Sequence, residues 1–173
     1  MVSLILMLLR AAIGWPPKLV CSRQVWQTGV DELRRGTGGH RESGAFLLGH
    51  MNGRTRRVKK FLFYEDVDPN CFRNGIVEFD GRQFGKVWQK CRDEKLMVVA
   101  DVHVHPHGYG QSGSDQGNPI IAEIGHFAII LPNYAAEKIM PGSIGIYEYC
   151  GSRKWLDHSP KGNKTFYVGW MPH

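Results

Sequence analysis

The four cysteines, Cys21, Cys71, Cys91 and Cys150, are widely scattered. Without a Cys-x-x-Cys pair the chain offers neither a zinc ribbon nor a thioredoxin-like redox motif. A reduced, cytoplasmic setting is the simpler expectation. No apolar run is long enough to cross a bilayer. Met1 to Leu9 is almost wholly apolar, but a spanning helix takes about 20 such residues, and no basic residue precedes this run as it would in a secretory signal. A buried terminal strand, a docked helix or a start codon assigned too early are the ordinary readings, beside a membrane association. Trp15-Pro16-Pro17 breaks the pattern. Residues 1–17 therefore read as an apolar N-terminal extension, and residues 18–173 as one domain. Internal repeats and low-complexity tracts are lacking too.

The remaining composition is that of an ordinary globular chain, 42% hydrophobic and 22% charged, so disorder is not indicated. The net charge of +6 comes in good part from Arg34-Arg35 and the run Arg54 to Lys60. That run reads as a solvated hairpin or a partner-binding patch; no specific nucleic-acid motif stands behind it. Hydrophobic spacing predicts a helix from Ser22 to about Arg35 with Val25, Trp26, Gly29, Val30 and Leu33 on one side. It is capped by Ser22 and ended by Gly36 to Gly39. Phe46 to Gly49 and Val58 to Tyr64 read as strands around the Met51-Asn52-Gly53 turn. A second helix is predicted from Gln83 to about Asp93 and a strand from Lys95 to His105. Asn118 and Pro119 suggest a helix running to Gly125. Phe127 to Leu131, Ile144 to Tyr149 and Thr165 to Val168 complete the strands. Interleaved strands and helices with hairpins imply an α/β (α+β-like) sheet flanked by helices.

The chemistry concentrates in His103-Val104-His105-Pro106 and Ser112-Gly113-Ser114-Asp115. Histidines two apart on a strand project to one face. Strand parity sets Val98, Ala100, Val102 and Val104 toward the core, and Val99, Asp101, His103 and His105 toward a cleft. Pro106 ends strand pairing, and Gly108, Gly110 and Gly113 let the loop curl so that Asp115 returns to the pair. Two imidazoles, one carboxylate and an open fourth position suit a hydrolytic Zn²⁺. Such a site needs a base, and Glu42, just before a buried strand, is the candidate. Asp101 shares the histidines' parity and is a candidate to support them. His107 reads as a loop residue, His126 as hydrogen-bonded structure, and His40 as part of a glycine-rich loop.

This combination resembles the JAB/MPN metalloprotease family. Its active members carry the JAMM motif: a glutamate before a buried strand, then His-x-His-Pro, then Ser-x-x-Asp. Here those positions are Glu42, His103, His105, Pro106, Ser112 and Asp115. Glu42-Ser43-Gly44-Ala45-Phe46-Leu47-Leu48-Gly49 also resembles the family's opening strand, and the likeness extends over about Lys18 to Tyr149. It implies a cytidine-deaminase-like sheet flanked by helices and Zn²⁺ on His103, His105 and Asp115. It further implies Glu42 as the residue that activates water and Ser112 as a donor to the developing oxyanion. The spacing from Pro106 to Ser112 is one residue shorter than the common pattern, which keeps Ser114 as an alternative serine.

The resemblance further implies hydrolysis of an amide or isopeptide bond after the C-terminal glycine of a ubiquitin-like protein, as deconjugation or precursor processing. The loop from Asp115 to Pro119 looks like that of bacterial members accompanying ubiquitin-like conjugation in antiphage defence. Partners would then be the modifier, its conjugates and the activating or conjugating enzymes of the pathway. Residues between Tyr64 and Asp80 are expected to line the substrate groove. The alternatives are a small-molecule amidase or a sulfur-carrier-maturing peptidase, and a non-catalytic JAB-fold binding module.

Overall fold

The computed structural model describes residues 16–170; most of the apolar extension, residues 1–15, lies outside the described residues. The strands are β1 (Leu19–Ser22), β2 (Ser43–Asn52), β3 (Thr55–Phe63), β4 (Met97–Val104), β5 (Phe127–Leu131), β6 (Gly145–Tyr149), β7 (Trp155–Asp157) and β8 (Phe166–Gly169). The helices are α1 (Arg23–Thr37), α2 (Tyr64–Val67), α3 (Phe84–Glu94), α4 (Gly113–Gly117) and α5 (Gly162–Thr165). All eight strands join in one mixed sheet, ordered β7-β6-β5-β4-β2-β3-β1-β8. β4 lies inside it, antiparallel to β2 and parallel to β5. Among the described residues no helix is long and apolar enough to cross a membrane.

Alternation along β2 divides the interior in two. Ala45 and Leu47 face a cluster that includes Trp26, Val30 and Leu33 of α1. Phe46 and Leu48 face a second cluster with Tyr64, Cys71, Phe72 and Val87. Each fully buried large side chain contributes roughly 1.5–3 kcal/mol over its exposed state, so helices on both faces hold the sheet in place. α1 begins as the sequence suggests, with Ser22 Oγ accepting from Val25 N, and ends at Gly38 in the left-handed conformation. The Asn52-Gly53 turn joins β2 to β3, with Asn52 opposite Thr55. Within the basic run, Arg56 donates to the Gly125 carbonyl and lies over the Phe127 ring, while Lys60 pairs with Glu94. Both cations are thus engaged within the fold rather than held free for a partner.

Two expectations need correction. The helix from Asn118 to Gly125 does not form. Ser112 starts α4 six residues earlier through a capping box with Asp115, and the helix stops at Gly117. Asn118 precedes Pro119, whose ring disfavours helical backbone at the residue before it, so the proline terminates this helix instead of opening another. Strand parity also fails at Val98. The β2–β4 register jumps from Leu47 opposite Ala100 to Leu48 opposite Val98, leaving Val99 as the extra residue. Such a bulge reverses the facing of everything beyond it. Val98 therefore packs with the Phe46 cluster and Val99 with the α1 cluster. From Ala100 onward the anticipated parity holds, which is the part that aims the histidines.

Cysteine reactivity follows directly from this packing. Burial pushes the Cys21 and Cys71 thiols up to about 12 and raises Cys91 as well, whereas Cys150 is exposed. Thiolate is the reacting form, so a thiol reagent should label one cysteine quickly in the native protein and all four after unfolding. Mass mapping of the fast site should find Cys150; rapid labelling of Cys21 or Cys71 would contradict the packing.

Candidate metal centre

Four short segments meet at the carboxyl end of β4. The antiparallel register sets Gly44 opposite His103 and Ser43 opposite Val104, so Glu42, one residue earlier, lies across from His105. His105 follows the last residue of β4. Its N–H donates to the Leu131 carbonyl and its carbonyl accepts from Tyr134 N, both at 2.9 Å. The receiving turn, Asn133 to Ala135, has three consecutive non-glycine residues with φ of 53–54°. Left-handed backbone of this kind is unfavourable and concentrates at functional sites; Asn133 tolerates it, while Tyr134 and Ala135 do not readily adopt it.

The Ser-x-x-Asp spacing has a structural meaning as well as a chemical one. Ser112 Oγ accepts from Asp115 N at 3.1 Å, and Ser112 N donates to Asp115 Oδ2 at 2.6 Å. This reciprocal cap fixes the Asp115 carboxylate, whose Oδ1 lies 3.3 Å from His103 Nε2 and Oδ2 3.3 Å from His105 Nε2. The two histidine Nε2 atoms face each other at 2.9 Å. Two ring nitrogens so placed need a proton or a cation between them. Ligand atoms around a tetrahedral zinc, with bonds of 2.0–2.2 Å, stand about 3.3 Å apart; each histidine nitrogen has one Asp115 oxygen at that distance, a different oxygen for each, and one donor atom from each of the three residues lies within 4.8 Å of the others. His103, His105 and Asp115 therefore fit a zinc ion by donor type and by spacing. Both histidines are buried, and Asp115 is partly so.

Glu42 stands just outside this triangle, with Oε1 3.9 Å from His105 Nε2. Its other oxygen accepts from Val77 N at 2.8 Å, and its backbone N–H donates to the Gly75 carbonyl. The segment between Tyr64 and Asp80 thus reaches the site as anticipated, and it orients the carboxylate. Asp68 organises that segment, a role the sequence reading missed. Its buried carboxylate accepts from Asn70 N at 3.0 Å and Asp80 N at 3.1 Å. Asp68-Pro69-Asn70 is the local signal that could have shown it, since aspartate before such a turn commonly binds the backbone two residues on.

Asp101 does not support the histidines by hydrogen bonding. It lies 2.6 Å from His126 Nε2 and accepts from the Tyr64 hydroxyl at 3.3 Å, all three groups being buried. Gly44 makes room for this arrangement, because a Cβ there would stand 2.4 Å from the Tyr64 ring. His103 Nδ1 is buried with no hydrogen-bond partner among the described residues. His107 is exposed, and His40 is exposed with Nδ1 near the Gly38 carbonyl. Ser112 has its acceptor lone pair engaged in the cap but retains a hydroxyl proton to donate. Ser114 lines the adjoining cavity.

Burial alone would lower the His103 pKa, but the Asp115 carboxylate beside it leaves that pKa raised. Burial alone would raise the Asp115 carboxyl; the two imidazoles overcome this and hold it far below the usual carboxylate range. In the metal-free protein, the stabilisation linked to His103 is complete below the ordinary histidine value of about 6.5 and is lost as pH rises through the raised folded value. That of Asp115 is complete above its ordinary value of about 3.9 and is lost as pH falls through the depressed one. Metal binding must displace the His103 proton. The increase in melting temperature on adding zinc should therefore shrink steadily as pH falls below the raised His103 value; a zinc effect that grows in acid would contradict the site.

No protein-family model matches the chain. The fold does have counterparts among solved structures. A protein from Desulfitobacterium hafniense, determined in solution, superposes with a TM-score of 0.65 at 12% identity, covering 87% of this chain and 92% of that one. A solution structure from Salinibacter ruber matches with a TM-score of 0.48 at 20% identity, over 74% of this chain and 83% of the other. The first likeness shows that the mixed α/β sheet flanked by helices is an established fold, and nothing about its chemistry.

Proposed function

We propose that this chain is a zinc-dependent peptidase of JAB/MPN type, hydrolysing the amide or isopeptide bond that follows the C-terminal glycine of a ubiquitin-like protein. The observation that carries this reading is the convergence of the His103, His105 and Asp115 donor atoms, with the Glu42 carboxylate 3.9 Å from His105. When bound, zinc supplies Lewis acidity, acidifying water and polarising a carbonyl. Glu42, oriented by Val77 N, takes the proton of the attacking water through Oε1 and returns it to the departing amine. Ser112 donates its hydroxyl proton to the oxygen that gains charge. The buried His126–Asp101–Tyr64 hydrogen bonds fix the cavity wall next to His103.

The test is cleavage of a panel of ubiquitin-like C-terminal fusions by the zinc-loaded full chain, with Glu42→Ala as control. Cleavage after the terminal glycine by wild type alone supports the reading. Intact fusions, with stoichiometric zinc in both proteins, would reject the modifier as substrate. A second reading, a small-molecule amidase or sulfur-carrier-maturing peptidase, is favoured by one feature: a cavity of about 470 Å³ beside the centre, within the range typical of small-ligand sites.

A further inference from the structure

A glycine tail presents only backbone to a metal centre, yet the centre opens onto considerable side-chain space. The cavity of about 470 Å³ is lined by His103, Asp101 and Asp115 together with the apolar Val77, Phe79, Phe84, Ile120 and Trp155. At about 30 Å³ per water this is room for roughly fifteen waters, held between apolar walls and the polar side chains of Glu78, Ser114 and Asn118. Those walls are braced. Phe79 stacks edge-on to Phe46 with ring centres 5.1 Å apart and lies 5.1 Å from Phe84. Trp155 donates from Nε1 to the Gln116 carbonyl, tying β7 to the end of α4. Aromatic walls already fixed before ligand arrives reduce the ordering cost of binding. Gln111 lines the same cavity.

We infer that this cavity seats a bulky apolar side chain flanking the scissile amide; the inference rests on the metallopeptidase reading above. Two placements share this chemistry. On the acyl side the side chain would replace the terminal glycine. On the amine side it would follow that glycine and leave the ubiquitin-like substrate intact. Ala128, which lines the cavity from β5, offers the means to fill it.

The test uses the zinc-loaded full chain and matched peptide amides with Gly, Leu or Phe on either side of the cleaved bond. Specificity for large apolar groups in such pockets is worth about tenfold to two-hundredfold. The expected result is kcat/KM at least tenfold higher for Leu or Phe than for Gly on one side, with Ala128→Leu cutting that ratio at least tenfold. Calorimetry supplies a readout independent of turnover: capped phenylalanine amide should bind at least tenfold more tightly than capped glycine amide. Equal wild-type affinity for the two capped amides, or equal turnover of all substrates, would overturn the inference without recourse to any variant. Binding of the phenylalanine amide without cleavage of any peptide would reject the peptidase reading and leave the apolar preference of the cavity standing.

Discussion

Glu42→Gln should retain a full complement of zinc and lose hydrolysis by about 10²- to 10⁴-fold, the usual range for a positioned general base. The substitution is chosen for its conservatism. Glutamine keeps an oxygen to accept from Val77 N, the bond that fastens residues 75–77 to the site, so the fold and the ligand triangle should persist. What it removes is the ability to take a proton at Oε1. Zinc content by mass spectrometry and turnover on one substrate decide the matter together. Loss of zinc along with activity would make Glu42 a ligand. Undiminished turnover would remove it from the mechanism altogether.

Asp115→Ala should have the larger effect on metal affinity, a loss of at least about a hundredfold. Removing even an outer hydrogen-bond partner of a ligand costs 10- to 100-fold, and Asp115 is itself a ligand candidate whose two oxygens each lie 3.3 Å from a histidine nitrogen. The change also abolishes half of the capping box that starts α4. Loss of a cap costs about 1 kcal/mol, and Asp115→Asn separates the two effects, since its side-chain oxygen can still accept from Ser112 N. Both variants should bind zinc weakly, with the helix start damaged chiefly in the alanine variant. Zinc affinity unchanged in both would exclude Asp115 from the site.

The candidate site was more legible in the sequence than the scaffold was. His103 and His105 are legible because a two-residue period on a strand makes one face whatever the surrounding fold. Asp115 is legible because a glycine-rich loop follows Pro106 and can return a carboxylate to the histidine pair; that the same residue caps α4 became visible only in the structure. Glu42 required the tertiary pairing of β2 with β4, which local pattern cannot supply; only the assembled motif pointed to it. The shift at Val99 was invisible, because a bulge is decided by two strands together and by neither alone. β1 and β7 escaped notice for a related reason, being four and three residues long and dependent on the sheet beside them. The false helix after Asn118 shows one signal with two outcomes: proline suits a helix start, and it equally stops the helix before it. The cavity walls come from residues spread between Val77 and Trp155, so no window of sequence could have displayed them.

The most direct measurement is a zinc titration of the metal-free full chain at neutral pH with a competing chelator, repeated on the His103→Ala, His105→Ala double variant. One zinc per wild-type chain, and none retained by the double variant at the same chelator concentration, is the predicted result. A wild-type chain that takes up no stoichiometric zinc, or a double variant that binds it equally well, would contradict the assignment of His103, His105 and Asp115 as a metal centre.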